Sequence, residues 1–153
     1  MPAVNLLCQL AGIDPCKLSK EENFMLEHVL FSKVCEKLKE IYKIEYKSYF
    51  RMIKLSTEME NMIMDTNFAR CIIKDIISTE EYSLTGVAYY TQTPEDVIFE
   101  IVTGINTDPT ASLLRKIIEL HRSIRPELYR EIMMKLISEN IDLPISCSSS
   151  NSM

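Results

Sequence analysis

The chain has 153 residues, which suits one domain or one domain with a helical appendage. Its 46% hydrophobic and 25% charged residues are typical of a globular protein, and only 3 Gly and 6 Pro exclude a turn-rich, many-stranded β architecture. The formal net charge of −5 argues against a non-specific coat on nucleic acid or membrane, and no run of about 18 or more apolar residues predicts a membrane span.

The cysteines and the apolar first residues both indicate a cytoplasmic protein. The opening segment lacks the basic flank and the cleavage site of a secretory signal. The five cysteines form no C-x-x-C pair, so we expect reduced thiols. They are Cys8, Cys16, Cys35, Cys71 and Cys147.

The predicted helices divide the chain into three parts: residues 1–66, 67–142 and 143–153. In the first part a short helix is predicted over 4–11, and Ser19 is a helix cap. No Gly or Pro interrupts the helical periodicity from Glu21 to Met64, which is long for one globular helix. We therefore predict two helices with a break between Tyr42 and Lys47, which together would form a dimerisation arm.

The second part is predicted to be a bundle of shorter helices. A helix is expected over 68–78, another over 84–90 behind a Ser83 cap, and a third that begins at the Thr93 cap and closes on Gly104. Asp108-Pro109 starts the next helix, in which His121 lies near the C-terminus and should be partly cationic, and Pro126 opens the last one. The Ser-rich tail, 143–153, is predicted to be disordered. The expected fold class is all-α.

The spacing of small and apolar residues between 84 and 120 predicts two short helices that cross closely. Ala88 provides the small residue that such a crossing needs, and Ile98 and Ile101 would fill the cleft. Gly104 ends the second helix, and Pro109 restarts the chain five residues later.

This order of residues resembles the lambda-repressor-like, Cro/C1-type helix-turn-helix family over residues 68–121. The matching positions are Leu84, Ala88, Ile98, Ile101, Gly104, Pro109, Leu113, Leu114, Ile117 and Ile118. The turn departs from the family pattern of hydrophobe, glycine, hydrophobe, because Thr91, Gln92 and Thr93 stand there; Gln92 would have to adopt a left-handed backbone.

The resemblance implies a DNA-binding transcriptional regulator that acts by occupying a site, as a homodimer on two half-sites. The helix from Thr93 to Thr103 would enter the major groove of double-stranded DNA. The residues placed in the groove are Gln92, Thr93, Glu95, Phe99, Glu100 and Thr103.

Basic residues elsewhere would contact phosphates. The candidates are Lys43, Lys47, Arg51, Arg115 and Lys116. At helical spacing, six basic residues share about one third of the circumference: Lys33, Lys37, Lys43, Lys47, Arg51 and Lys54. The alternative is a solvated helix face on which these lysines pair with neighbouring glutamates.

The charge of the proposed groove helix supports a second hypothesis. Glu95, Asp96 and Glu100 have the wrong sign for contact with phosphates. A non-catalytic adaptor would use this acidic surface to bind a protein partner. Tyr82, Tyr89 and Tyr90 would add an aromatic patch to that surface, although core and rim packing of the bundle is the simpler role.

No catalytic or metal-binding pattern is present in the sequence. The two histidines are far apart, no paired cysteines or H-E-x-x-H motif occurs, and glycines only at positions 12, 86 and 104 leave no Gly-rich phosphate loop. We therefore expect a protein that is not an enzyme and that needs no cofactor or metal.

Overall fold

The structure is a computed structural model that describes residues 2–139. Every regular element in this part of the chain is helical: eight α-helices and one 3-10 turn. The helices are α1 (Pro2–Ala11), α2 (Lys20–Glu45), α3 (Lys47–Met52), α4 (Thr57–Ser78), α5 (Leu84–Thr91), α6 (Glu95–Val102), α7 (Ala111–Ile124) and α8 (Pro126–Ser138), and the 3-10 turn spans Pro15–Lys17. The all-α prediction is confirmed for these residues. The predicted disordered tail lies outside them, as does Cys147.

The chain divides into two compact units. One contains the described residues up to Lys37 together with those from Glu127 onward, and the other spans Leu38–Pro126. All of α3 to α7 therefore belongs to the second unit, which also contains every residue proposed to contact DNA. α4 continues without interruption across residues 66 and 67, where the sequence places the boundary between the first two parts.

The first helices follow their sequence signals. α1 ends before Gly12, which has a positive φ of 73°, and the Ser19 hydroxyl accepts a hydrogen bond of 3.1 Å from the Glu22 amide at the start of α2. α2 ends at Glu45, inside the predicted range for the break. The prediction of two helices between Glu21 and Met64 is nonetheless incomplete, because α3 and the beginning of α4 also lie between these residues.

The end of α3 carries no glycine. Lys54 adopts φ 55°, its amide donates to the Arg51 carbonyl, and the Leu55 amide donates to the Phe50 carbonyl. This paired bonding is a Schellman motif, in which the left-handed position is usually glycine. Ser56 then caps α4 by accepting from the Met59 amide at 3.2 Å. The predicted helix start at Phe68 is wrong, since α4 begins at Thr57.

Helices α5 to α7 have the predicted order, with one displaced start. Ser83 caps α5 and accepts from the Gly86 amide, as predicted. α6 is followed by Gly104 at φ 83°, also as predicted. α7 does not begin at Pro109, however, because the Thr110 side chain accepts from the Leu113 amide at 3.2 Å and thereby caps the helix two residues later than expected.

Apolar side chains from α4 to α7 form the core of the Leu38–Pro126 unit. α4 contributes Ile72, Ile73 and Ile76 to it, all fully buried. α5 to α7 contribute further apolar residues that are fully or almost fully buried, among them Val87, Ile98, Ile101, Ile117, Ile118 and Leu120. None of the helices described between residues 2 and 139 has the length and apolarity that a membrane span requires.

Candidate nucleic-acid interface

Helices α5 and α6 are joined by a three-residue connection, Gln92 to Pro94. Gln92 adopts the left-handed conformation, with φ 54° and ψ 41°. Its amide donates to the Tyr89 carbonyl at 3.2 Å, and the Thr93 amide donates to the Ala88 carbonyl at 3.0 Å. These two bonds form a Schellman motif, which turns the chain sharply at the end of α5. The left-handed backbone that the sequence required of Gln92 is therefore present.

The buried residues on either side of this turn are those expected of two closely packed helices. Ala88 on α5 is 5% exposed, and Ile98 and Ile101 on α6 are 0% and 1% exposed. α5 and α6 pack against each other, and α5 also packs against α7. A small side chain at position 88 permits a close approach of backbones.

Thr93 does not cap α6, contrary to the sequence prediction. The residue before the helix is Pro94, with φ −55° and ψ 139°, and no side chain caps the first turn. The Thr93 hydroxyl instead donates to the Thr91 carbonyl at 3.1 Å, because the left-handed Gln92 carries it back toward the end of α5. Glu95 accepts a hydrogen bond of 3.0 Å from the Thr85 hydroxyl and so links the two helices.

Most of the residues predicted to contact DNA are exposed in the second unit. Phe99 is 54% exposed. Gln92, Glu95, Glu100 and Thr103 are also exposed, whereas Thr93 is half-buried.

The exposed face of α6 is acidic. Within the described chain, no Lys or Arg forms an ion pair with Glu95, Asp96 or Glu100. The negative charge of this face is therefore left to solvent or to a partner.

Two of the predicted phosphate contacts are already engaged inside the unit. The Lys116 ammonium donates to the Thr91 carbonyl at 3.2 Å, so it caps the C-terminus of α5. The Lys43 ammonium donates to Asn61 Oδ1 at 2.9 Å and lies 3.6 Å from Glu60 Oε2. Lys47 and Arg51 are exposed one turn apart on α3, and Arg115 is half-buried.

The predicted single basic stripe does not exist on one helix. It would require a continuous helix from Lys33 to Lys54, but α2 ends at Glu45 and α3 ends at Met52. Lys33 also lies 3.6 Å from Glu36, and Lys37 lies 2.8 Å from Glu139. The alternative of lysines paired with acids on a solvated face describes this region better.

A polar network joins α7 to α4 in the Leu38–Pro126 unit. Fully buried His121 places Nε2 at 2.7 Å from Asp75 Oδ2. Arg125 binds the same carboxylate with two bonds, from Nε to Oδ2 at 3.1 Å and from Nη2 to Oδ1 at 3.0 Å. Sequence reasoning missed this network, because His121 and Arg125 lie 46 and 50 residues after Asp75 and no local pattern links them.

Burial sets the protonation of the network. It lowers the pKa of His121 below 6.5, and this effect outweighs the attraction of Asp75. His121 is therefore neutral at pH 7 and donates its Nε2 proton to the carboxylate, so the expectation of a partly cationic ring is wrong. Burial alone would raise the pKa of Asp75, but the hydrogen bonds from Arg125 and His121 prevail and lower it. Burial and the charge of Asp75 raise the pKa of Tyr42, which stays protonated.

Tyr89 on α5 is more exposed than core or rim packing would leave it, whereas Tyr90, and Tyr82 just before the helix, fit the expected rim position. Tyr89 is 87% and Tyr90 is 44% exposed, and Tyr82 is half-buried. With Gly86 and Gln92 they line a shallow depression of about 520 Å³. An aromatic patch thus adjoins the connection between α5 and α6.

No metal site or disulfide accompanies these features. Among the described residues, no group of three His, Cys, Asp or Glu side chains converges as a metal site would require, and Cys8, Cys16, Cys35 and Cys71 are free thiols. No protein-family model, curated protein or solved structure matches the chain.

Proposed function

We propose that this protein is a DNA-binding transcriptional regulator in which α5 and α6 form a helix-turn-helix. The observation that carries the proposal is the Schellman turn at Gln92, flanked by the buried Ala88 and Ile98. The second left-handed position, Gly104, follows α6 at the place where the Cro/C1-type family has its glycine. The left-handed backbone at Gln92 and the positive φ of Gly104 support this proposal, because the chain of a helix-turn-helix has to turn after each of its two helices.

In this proposal α6 lies in the major groove of DNA. The protein regulates transcription by occupying its site and catalyses no reaction. Gln92 and Thr103 offer groups that hydrogen-bond to base edges, and Phe99 offers apolar contact with a thymine methyl group. Lys47 and Arg51, which are exposed, supply phosphate contacts. A homodimer would present two copies of α6 to two half-sites.

The direct test is a mobility-shift assay with genomic fragments at low salt. We expect a shift at micromolar protein that weakens as salt rises, since phosphate contacts release counterions. Phe99→Ala should weaken the specific complex about tenfold, because one base contact contributes roughly 1–3 kcal/mol. Met134→Ala, a similarly exposed apolar residue on α8, is the matched control and should leave the shift unchanged. The absence of any shift by the wild-type protein would refute the proposal.

The second candidate function is a protein-interaction adaptor that uses the same surface. The observation in its favour is that Glu95, Asp96 and Glu100 have no cationic partner in the described chain, while Tyr89 is exposed on the neighbouring helix α5. A partner with a basic surface would neutralise these acids, and the tyrosine would provide apolar contact area.

The two functions are separated by reversing the charges of the acidic face. Under the adaptor hypothesis the wild-type protein shows no specific DNA shift, and the triple variant Glu95→Lys, Asp96→Lys, Glu100→Lys loses its protein partner. Under the DNA hypothesis the same variant binds DNA more tightly but with less sequence preference. Partner capture that survives the triple substitution would rule out this face as the protein interface.

A further inference from the structure

A cavity of about 300 Å³ opens between α3 and α4 in the Leu38–Pro126 unit. This volume is at the lower end of the range for small-molecule sites. The cavity is lined by Tyr46, Tyr49, Phe50, Ile63, Met64, Asn67, Arg70, Cys71 and Lys74. None of these residues belongs to the surface proposed to bind DNA.

One side of the cavity is apolar and aromatic. Phe50 and Met64 are 2% and 3% exposed and form its buried floor, while Tyr46 and Tyr49 are 43% and 53% exposed and form its rim. The ring centroids of the two tyrosines lie 6.3 and 6.2 Å from that of Phe50. An aromatic or aliphatic group of a ligand would find contact on these surfaces.

The other side is cationic. Asn67, Arg70 and Lys74 recur at three- and four-residue spacing on one stripe of α4. Within the described chain, neither Arg70 nor Lys74 makes a side-chain hydrogen bond or ion pair, and Arg70 Nε is buried without a partner. A buried guanidinium nitrogen without an acceptor costs free energy, which a bound anion would recover.

Nothing in the cavity lining neutralises these two cations. None of the lining residues is Asp or Glu. Burial raises the pKa of the Cys71 thiol in spite of the two cations, so the sulfur stays protonated. The pKa of Tyr46 is also raised, by the neighbouring Cys71 and by burial. Glu45 does not line the cavity, but its negative charge also raises the pKa of Tyr46 and of Cys71, so its carboxylate lies nearby. The lining itself carries two positive charges and no negative charge at pH 7.

We propose that this cavity binds a small organic anion, with its apolar body against Phe50 and Met64 and its carboxylate or phosphate against Arg70 and Lys74. Asn67 would assist by donating from Nδ2, whose two hydrogens allow one bond to the anion beside the present one to the Ile63 carbonyl at 2.9 Å. Ligand binding at this site requires no DNA binding, so the two proposals stand or fall separately.

Isothermal titration calorimetry with three naphthalene probes tests the proposal. The probes share one ring system and differ in the attached group: 1-naphthoate, 1-naphthyl phosphate and the neutral 1-naphthalenemethanol. We expect at least one anion to bind with a Kd below about 1 mM, and the neutral probe to bind about tenfold more weakly or not at all. Binding of one anion alone would support the proposal and identify the headgroup.

Paired variants locate the site. Arg70→Gln with Lys74→Gln should weaken anion binding about tenfold or more, since charge-assisted hydrogen bonds are lost. Arg130→Gln with Lys135→Gln removes the same charges from exposed positions on α8 that do not line the cavity and should leave the affinity within about twofold. Tyr49→Ala, at a half-exposed rim position, should lower the affinity for each anion that the wild-type protein binds, and it should not unfold the protein.

Three results would overturn the proposal. They are no binding of either anion at about 1 mM, equal binding of the neutral probe, and unchanged affinity in the Arg70 and Lys74 double variant. Thermal unfolding of each variant, followed by circular dichroism, shows whether the variant is folded at the temperature of the titration. Only folded variants are compared in the binding experiment.

Discussion

Removal of the Asp75 carboxylate should destabilise the protein far more than removal of an ordinary surface acid. Asp75→Ala takes away the acceptor of His121 Nε2, a bond of 2.7 Å to a fully buried ring. Loss of the partner of a buried polar group costs about 1–3 kcal/mol. The bidentate bonds from Arg125 add about 1 kcal/mol or less, because the Arg125 side chain is 43% exposed and solvent screens the pair.

We therefore expect Asp75→Ala to lower the free energy of unfolding by about 1–4 kcal/mol. The melting temperature should fall by roughly 3–12 °C, at about 3 °C per kcal/mol for a chain of this size. Urea denaturation followed by circular dichroism measures the first quantity, and a thermal scan measures the second.

Asp65→Ala is the matched control, because Asp65 lies on the same helix and forms an ion pair of 3.0 Å with Lys39. Its side chain is 65% exposed, so its removal should cost about 1 kcal/mol or less. Equal losses in the two variants would refute the inference that the Asp75 network fastens α7 to α4.

Three further predictions concern protonation, the turn and the packing. Burial lowers the pKa of His121 in the folded protein, so the unfolded state binds more protons as the pH falls. The contribution of His121 to stability should therefore be constant well above pH 6.5 and should decrease as the pH falls below about 6.5, the usual pKa of histidine. His121→Gln should reduce that dependence in urea titrations. Gln92→Gly should keep the turn and change the free energy of unfolding by about 1 kcal/mol or less, because the relief of left-handed strain is offset by the higher entropy of glycine in the unfolded chain. Gln92→Val should lower the free energy of unfolding by more than about 1 kcal/mol, because a β-branched residue is strained at positive φ. A larger loss for glycine than for valine would contradict the observed φ. Ala88→Leu should lower the free energy of unfolding by about 1–3 kcal/mol, because the larger side chain overpacks the buried position. Tyr89→Leu, on the exposed side of the same helix, should change it by about 0.5 kcal/mol or less. Equal effects on the free energy of unfolding would show that position 88 is not confined.

The sequence predicted helix boundaries well where a residue with a strong local preference marks them. Ser19 and Ser83 cap helices as predicted, and Gly12 and Gly104 follow helix ends with positive φ. The prediction failed at Lys54, where α3 ends in the same Schellman geometry without a glycine. Lysine has no intrinsic preference for the left-handed region, so nothing local marks this position.

The candidate interface also combines features that the sequence predicted with features that it did not. The residues of α5 and α6 indicated which side chains are buried and which are exposed, because helical periodicity fixes the faces. The engagement of Lys116 with the Thr91 carbonyl, and of Lys43 with Asn61 and Glu60, could not be read in the same way. These contacts join positions 17 to 25 residues apart and depend on how the helices pack.

The sequence by itself determined the all-helical class, the order of the short C-terminal helices and the acidic character of α6. These properties follow from composition, period and capping, all of which act within a few residues. Only the tertiary structure decided that His121 is buried and neutral against Asp75, that two proposed phosphate contacts are engaged internally, and that Arg70 and Lys74 line one cavity with Phe50. Burial, and the partner that a charge meets, depend on segments distant in sequence, and no local pattern records them.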